Sequence, residues 1–422
     1  MLSKEENELV TRVGPGTPMG AALRRYWLPA LLAEELAEPD GPPVRVRLLG
    51  EDLVAFRDSL GRIGLLDAYC PHRGASLFFG RNEECGLRCV YHGWKLDVAG
   101  NCVDLPNEPP ESTYKDRIHH TAYPCVEKGG VIWAYLGPAA SQPPLTDLEW
   151  MRAPDGHRHV SKTYEACNYL QGIEGGVDTA HSSFLHRLMS PSQRAARETE
   201  RYRARALAPK LEVVPTDYGF SYAGIRRLPD DGTRYVRVYH FVMPFHQMRA
   251  YEGYAGRPLI QGHMWVPIDD VQTWVYNWTY ARDGAALTPA EIEAEETETG
   301  RSPADLLPGY RLRRNLSNDY LIDRQAQRTS SWTGIQGVNT QDMAVQESMG
   351  PIVDRSREHL TASDLAVITT RRLLLQAARD VAAGREPLGV RGGAHAVRPA
   401  EMILPDDVPW AEAMREELLV RW

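Results

Sequence analysis

Apolar and polar positions change period several times along this chain, and the changes divide it. Lys4 to Arg12 and Met19 to Leu32 carry helix-like spacing, separated by the proline-rich GPGTP. From about Val44 to Tyr135 the pattern is that of strands. Val44-Arg45-Val46-Arg47-Leu48 alternates, Val131 to Tyr135 is a short apolar run, and glycine turns lie between. The polar stretch Pro138 to Pro144 marks a boundary. Beyond it, Glu165 to Arg187 reads as helix interrupted by Gly172, Gly175 and Gly176. Strands are expected from Arg203 to Ala281, with turn signals at Pro229-Asp230-Asp231-Gly232 and Asp269-Asp270. Pro289 to Glu298 predicts an acidic, solvated helix. Leu360 to Ala383 predicts an amphipathic one anchored by Ile368, Leu373 and Leu374. The expectation is an α+β chain in three parts: N-terminal helices over 1–40 packing on the last domain, an all-β domain over 41–145, and an antiparallel sheet flanked by helices over 146–422.

Composition narrows the class of function. With 43% apolar and 25% charged residues, the 422-residue chain can bury a large core. A net charge of −8 argues against non-specific binding to nucleic acid or acidic lipid. No segment is apolar for long enough to span a bilayer, and the charged start MLSKEENELVTRVG lacks the apolar region of a signal peptide; a cytoplasmic protein is expected. Six cysteines are too few for a disulfide scaffold in a chain of this length. Three of them, Cys70, Cys85 and Cys89, lie close to two histidines, which points to metal binding; Cys102, Cys125 and Cys167 are read as structural.

Cys70-Pro71-His72 and Cys89-Val90-Tyr91-His92 are separated by sixteen residues. Two such loops face to face would supply two thiolates and two imidazoles, the mixed ligand set of a Rieske [2Fe–2S] centre. Zinc accepts the same four ligands, but its sites more often pair like with like. Cys85 lacks a histidine at the matching offset. A second constellation is Glu174-x₃-Asp178-x₂-His181-x₄-His186. Two histidines and a carboxylate form the facial triad of Fe(II) oxygenases. Five residues apart, His181 and His186 are about 140° apart on a regular helix, so a bulged or broken helix is needed to bring them together.

The strings CPHRGASL and CVYHGWKLDVAGNC resemble the Rieske motif of aromatic-ring-hydroxylating oxygenases. The flanks MLSKEENELVTRVGPGTPMG and QDMAVQESMGPIVDRSREHL look most like phthalate dioxygenase-type oxygenase components. The resemblance covers most of the chain. It implies that Cys70, His72, Cys89 and His92 bind a Rieske cluster, and that His181, His186 and a distant carboxylate bind Fe(II). Asp342 is the best match for that carboxylate, with Glu347 and Asp354 as alternatives. It further implies that Asp178 links His181 to His92 of a neighbouring subunit, hence a homotrimer or a hexamer of trimers; orienting His181 alone is the simpler role. Glu174 is read as a supporting residue.

Gly14-Pro-Gly16-Thr-Pro-Met-Gly20 resembles a glycine-rich loop only superficially, because no strand precedes it and its prolines remove amide donors. NAD(P)H and flavin are therefore expected only through a separate flavin and iron–sulfur reductase. The implied activity is O₂-dependent hydroxylation or dihydroxylation of a small, carboxylated aromatic, with O- or N-demethylation as the alternative. An electron-transfer protein without catalytic iron is the alternative of another class. Arg226, Arg237 and Arg249 are candidates to hold the substrate carboxylate, and Ser182 to touch the substrate.

Overall fold

The computed structural model describes residues 1–189, 198–228, 232–253, 256–391 and 395–420; the turn expected at Pro229-Asp230-Asp231 lies outside them. Two compact units emerge: Val13–Pro143, and Met1–Arg12 together with Pro144–Trp422. The segment expected to end at residue 40 is thus divided at residue 12. Helix α1 (Lys4–Thr11) starts with a Ser3–Glu6 capping box and belongs to the larger unit, where Asn7 donates to the Val353 carbonyl.

The smaller unit begins with α2 (Pro18–Leu23), capped by Thr17. The helix expected to run on to Leu32 stops there. Pro29 has no N–H to give a helix interior, and Trp27–Leu32 instead forms strand β1, buried along its whole length. Nine more strands follow: β2 (Val44–Leu48), β3 (Glu51–Arg57), β4 (Ile63–Asp67), β5 (Arg81–Glu83), β6 (Gly86–Arg88), β7 (Lys95–Leu96), β8 (Cys102–Asp104), β9 (Cys125–Lys128) and β10 (Val131–Tyr135). They form three antiparallel sheets, ordered β1-β10-β9, β2-β3-β4 and β5-β6-β7-β8. Val54, Phe56, Leu66, Leu87 and Leu96 pack with Cys70, Cys89 and Trp94 in one buried cluster.

The larger unit is built on one sheet of ten strands among the described residues. After α3 (Glu149–Arg152) come β11 (Arg158–Glu165), α4 (Tyr169–Val177), α5 (Glu198–Arg205), β12 (Lys210–Pro215), β13 (Gly219–Leu228), β14 (Thr233–Val242), β15 (His246–Glu252), β16 (Pro258–Pro267) and β17 (Thr273–Ala281). Then follow α6 (Pro289–Thr299), β18 (Leu306–Leu307), β19 (Arg311–Leu312), α7 (Val338–Ser348), α8 (Leu365–Ala382) and β20 (Ala400–Pro405). The order is β12-β13-β14-β15-β16-β17-β11-β19-β18, with β20 paired to β14. Asp269 and Asp270 lie between β16 and β17, which pair antiparallel as expected.

Helix α4 lies against β16 because Gly172 and Gly176 leave room for Trp265. A Cβ at either would fall 2.2 or 2.0 Å from its ring. The expected interruptions are therefore a contact surface. Two further expectations change. In α6, Glu295 and Glu296 are buried rather than solvated, bonded to Gln261 and Thr279 and to His159 and Ser161. In α8 the buried stripe is Ala366, Val367, Thr370, Leu374 and Ala378, while Ile368 and Leu373 are only half-buried.

Candidate metal centres and cavity

The two cysteine–histidine loops of the smaller unit share one backbone design. Cys70 N–H donates to Ala75 O and Gly74 N–H returns to Cys70 O; Cys89 N–H donates to Trp94 O and Gly93 N–H returns to Cys89 O. Gly74 and Gly93 take φ of +72° and +77°. Both thiols are 3% exposed. The imidazoles of His72 and His92 lie 4.4 Å apart, and His72 stacks on Trp94 at 4.5 Å. The Trp94 indole is fixed by donating to Asn107 Oδ1 at 2.8 Å.

His72 Nδ1 and His92 Nδ1 are buried without a hydrogen-bond partner among the described residues. Burial, with Cys89 beside it, pushes the Cys70 thiol up to about 11. Desolvation, with His72 and Arg73 nearby, pushes the His92 imidazole down. Two buried thiols and two orphaned ring nitrogens are costly alone. They fit a cluster that takes two thiolates and two imidazoles. Cys85 sits instead at the β5–β6 turn, φ +60°, with its N–H on Ser59 Oγ.

In the larger unit α4 ends at Val177, and Asp178 is already extended. Glu174, Asp178 and His181 therefore do not share a regular helical face. A short 3₁₀ turn over His181–Ser183 follows, and it brings His181 and His186 together without a π-bulge. Their Nε2 atoms are 3.2 Å apart. Asp342, in the middle of α7, places Oδ1 3.6 Å from His181 Nε2 and 3.3 Å from His186 Nε2. These three residues could hold a metal ion. Glu347 and Asp354 are committed elsewhere: Glu347 accepts from Ala166 N–H and Tyr320 O–H, and Asp354 caps the turn at Ser356.

The partner of His186 sets its tautomer. Gln341 Nε2 donates to Ile335 O, so its Oε1 must accept the proton of His186 Nδ1 at 2.8 Å. His186 Nε2 is then a bare lone pair. His181 Nδ1 lies 3.4 Å from Asp178 Oδ2. Burial disfavours the charged forms, but Asp178 and Asp342 outweigh it and raise His181, while His186 and His181 hold Asp342 low. Two Nε2 atoms converging on a carboxylate, which favours positive charge between them, fit a hard-to-intermediate dication such as Fe(II) that would take the place of the proton.

Glu174 anchors the end of α4. Its carboxylate takes Arg355 at 2.8 and 2.9 Å and Arg371 at 2.6 Å, and its carbonyl accepts Asp178 N–H. Burial raises it, but the two arginines prevail and hold it below the usual carboxylate range.

The triad opens on a cavity of about 570 Å³. Period-two alternation puts Arg237 and Tyr239, Gln247 and Arg249, and His263 and Trp265 on its wall. Arg249 gives one Nη to Gln261 Oε1 at 3.1 Å and has no other partner among the described residues. Burial and Arg237 lower it to about 10, so it stays charged at neutrality. Arg237 also lines the cavity but is engaged by Ala250 O and Glu401. Ser182 lines it with its hydroxyl closing the turn onto Thr179 O. Arg226, expected as a carboxylate ligand, shares a sheet face with Arg237 through its pairing with Tyr235, but its guanidinium is spent beneath the turn, on Thr179 O and Ser183 Oγ at 3.1 and 3.0 Å, and does not line the cavity. Arg203, His263, Gln341 and Glu165 were not legible as site residues, because each sits singly in an ordinary strand or helix pattern. The alternation Gln247-x-Arg249 beside His263-x-Trp265 was the available signal.

Residues 26–122 match the Rieske [2Fe-2S] domain family, and residues 134–417 match the LigXa C-terminal domain like family. The chain is 42% identical to a phthalate 4,5-dioxygenase oxygenase subunit of Pseudomonas putida, over 98% of this chain and 94% of that one. It is 37% identical to a 3-chlorobenzoate-3,4-dioxygenase oxygenase subunit of Comamonas testosteroni, over 99% of both. The solved structure of Pseudomonas putida CBB5 NdmA shares the fold: TM-score 0.62 and 19% identity, covering 93% of this chain and all of that one.

Proposed function

This chain belongs to the Rieske non-haem iron oxygenases of phthalate dioxygenase type, and from that premise we propose that it hydroxylates or dihydroxylates a small aromatic carboxylate. It is a terminal oxygenase component with a Rieske cluster and a mononuclear iron, and it works in a multicomponent system. The observation that carries the substrate reading is the cavity itself. A half-buried, charged Arg249 shares its wall with His181, His186 and Asp342.

Cys70, His72, Cys89 and His92 would hold the cluster, and His181, His186 and Asp342 the iron. When bound, the two groups supply single electrons and a site for O₂ activation. The chain's own residues do the rest. Gln341 keeps His186 in the tautomer with a bare Nε2, and Asp178, 3.4 Å from His181 Nδ1, would orient that ring. Arg249 would take the carboxylate with the donors it has left, and the apolar edge of Trp265 and Val275 would exclude water beside the ring. Asp178 lies at a turn, and linking His181 to His92 of a neighbouring copy is the role we assign it, with a trimer as the working unit. Reducing equivalents come from NAD(P)H through a separate flavin reductase. The electron-carrier reading is disfavoured by the His181–His186–Asp342 cluster. No helix among the described residues is long and apolar enough to cross a membrane.

The test is a screen of aromatic acids on metal-loaded protein with a surrogate reductase. O₂ uptake should rise with the right acid and match hydroxylated product mole for mole. Formaldehyde from a methoxy acid would favour demethylation. No acid-dependent uptake at full metal loading would overturn the reading.

A further inference from the structure

The cavity wall offers an imidazole acceptor, fixed in its tautomer, that the metal sites leave unused. His263 on β16 is 6% exposed and lines the cavity. Its Nδ1 is 2.7 Å from Asn277 Oδ1. Asn277 is fixed in that orientation: its Nδ2 donates to Val275 O, and Asn339 Nδ2 donates to the same Oδ1. An amide oxygen only accepts, so the ring proton sits on Nδ1. Nε2 is left as a lone pair with no partner among the described residues. Burial, with Arg249 and Arg301 nearby, keeps the ring neutral.

Arg249 pairs with Gln261 across β15 and β16, so His263, two residues further on, is its diagonal neighbour on the same face. The wall therefore presents a cationic donor beside a neutral acceptor. Filling the cavity with a ring that gives His263 nothing leaves a buried acceptor unmet. A second carboxylate or an ether oxygen placed there would meet a lone pair.

We infer that His263 is a specificity-determining residue that accepts a hydrogen bond from a ring hydroxyl or N–H of the substrate, so that the preferred ligand is an aromatic acid bearing such a donor rather than a dicarboxylate or a methyl ether. This deepens the aromatic-acid reading and rests on it for the acid alone.

Calorimetric titration of the oxidised, metal-loaded protein tests it without turnover. The ligands are benzoate, phthalate, the hydroxybenzoate isomers, the matching methoxybenzoates, and methyl esters of both series. In the wild type at least one hydroxy acid should bind about tenfold or more tighter than its methoxy counterpart. In His263→Phe that ratio should fall to within about twofold, with benzoate affinity changed less than about threefold. Equal binding of hydroxy and methoxy acids by the wild type, which needs no variant to fold, overturns the inference and leaves the acid reading standing. So does a preference that survives in His263→Phe. If acids fail to bind but the hydroxy esters still outbind the methoxy esters, the role of His263 stands and the acid reading falls. No binding by any member overturns both.

Discussion

Arg226 on β13 and Arg249 on β15 are one chemical type in one sheet, and their partners give them opposite work. Arg226 holds Thr179 O and Ser183 Oγ beneath the turn that carries His181. Arg226→Gln should cost about 1–3 kcal/mol of stability by stranding those groups, visible as a lower unfolding midpoint and less mononuclear iron. Arg249→Gln should leave iron loading intact and weaken binding of an aromatic acid by about tenfold or more in a direct titration. Glu165 gives a pH test. It is fully buried, Oε2 has no partner among the described residues, and burial with Glu347 nearby raises it to about 8. Between roughly its unfolded value of about 4.3 and pH 8, the folded chain holds a proton that the unfolded chain releases. Stability from this group thus falls as pH rises through that window. Glu165→Gln should raise the unfolding midpoint more at pH 8 than at pH 5; an equal shift at both would contradict the assignment. At this scale the loop residues were legible because two cysteine–histidine pairs on repeated turns are a rare pattern. The work of Arg226 was not legible because Thr179 and Ser183, which take its donors, reach it only through the fold.

The decisive element is a helix that stops. An offset of five residues from His181 to His186 is incompatible with one helical face, and the chain meets this by ending α4 at Val177 and inserting a 3₁₀ turn. The need for irregular backbone could be read from the spacing; its form could not, because it depends on contacts far along the chain. Arg355 and Arg371 tie Glu174 from 181 and 197 residues away. Gly172 and Gly176 looked like helix breakers and are the flat side that Trp265 packs against. Gly176→Ala would put a methyl into that ring and should destabilise the protein by about 1–3 kcal/mol, measurable by thermal unfolding. A neutral result there would mean that α4 is free to shift. Likewise the strand Trp27–Leu32 was mistaken for helix because an all-buried run has no period to read, although Pro29 was the available clue.

For the whole molecule, the two families matched and the two compact units part within about ten residues of each other, at residues 134 and 144, with one candidate ligand set on each side. If Asp178 works across neighbouring copies, a chain lacking one metal set can be complemented by a chain lacking the other. Co-assembly of His92→Ala with Asp342→Asn should restore aromatic-acid-dependent O₂ uptake well above either variant alone; additive residual activities would confine Asp178 to orienting His181. The claim beneath all of this is that one chain carries both sites. Iron and acid-labile sulfide per chain, measured in the wild type and in His186→Ala, test it most directly. Three irons and two sulfides in the wild type should fall to two and two in the variant, following from the cluster and mononuclear stoichiometries. Two irons in both proteins, with sulfide unchanged, would contradict it.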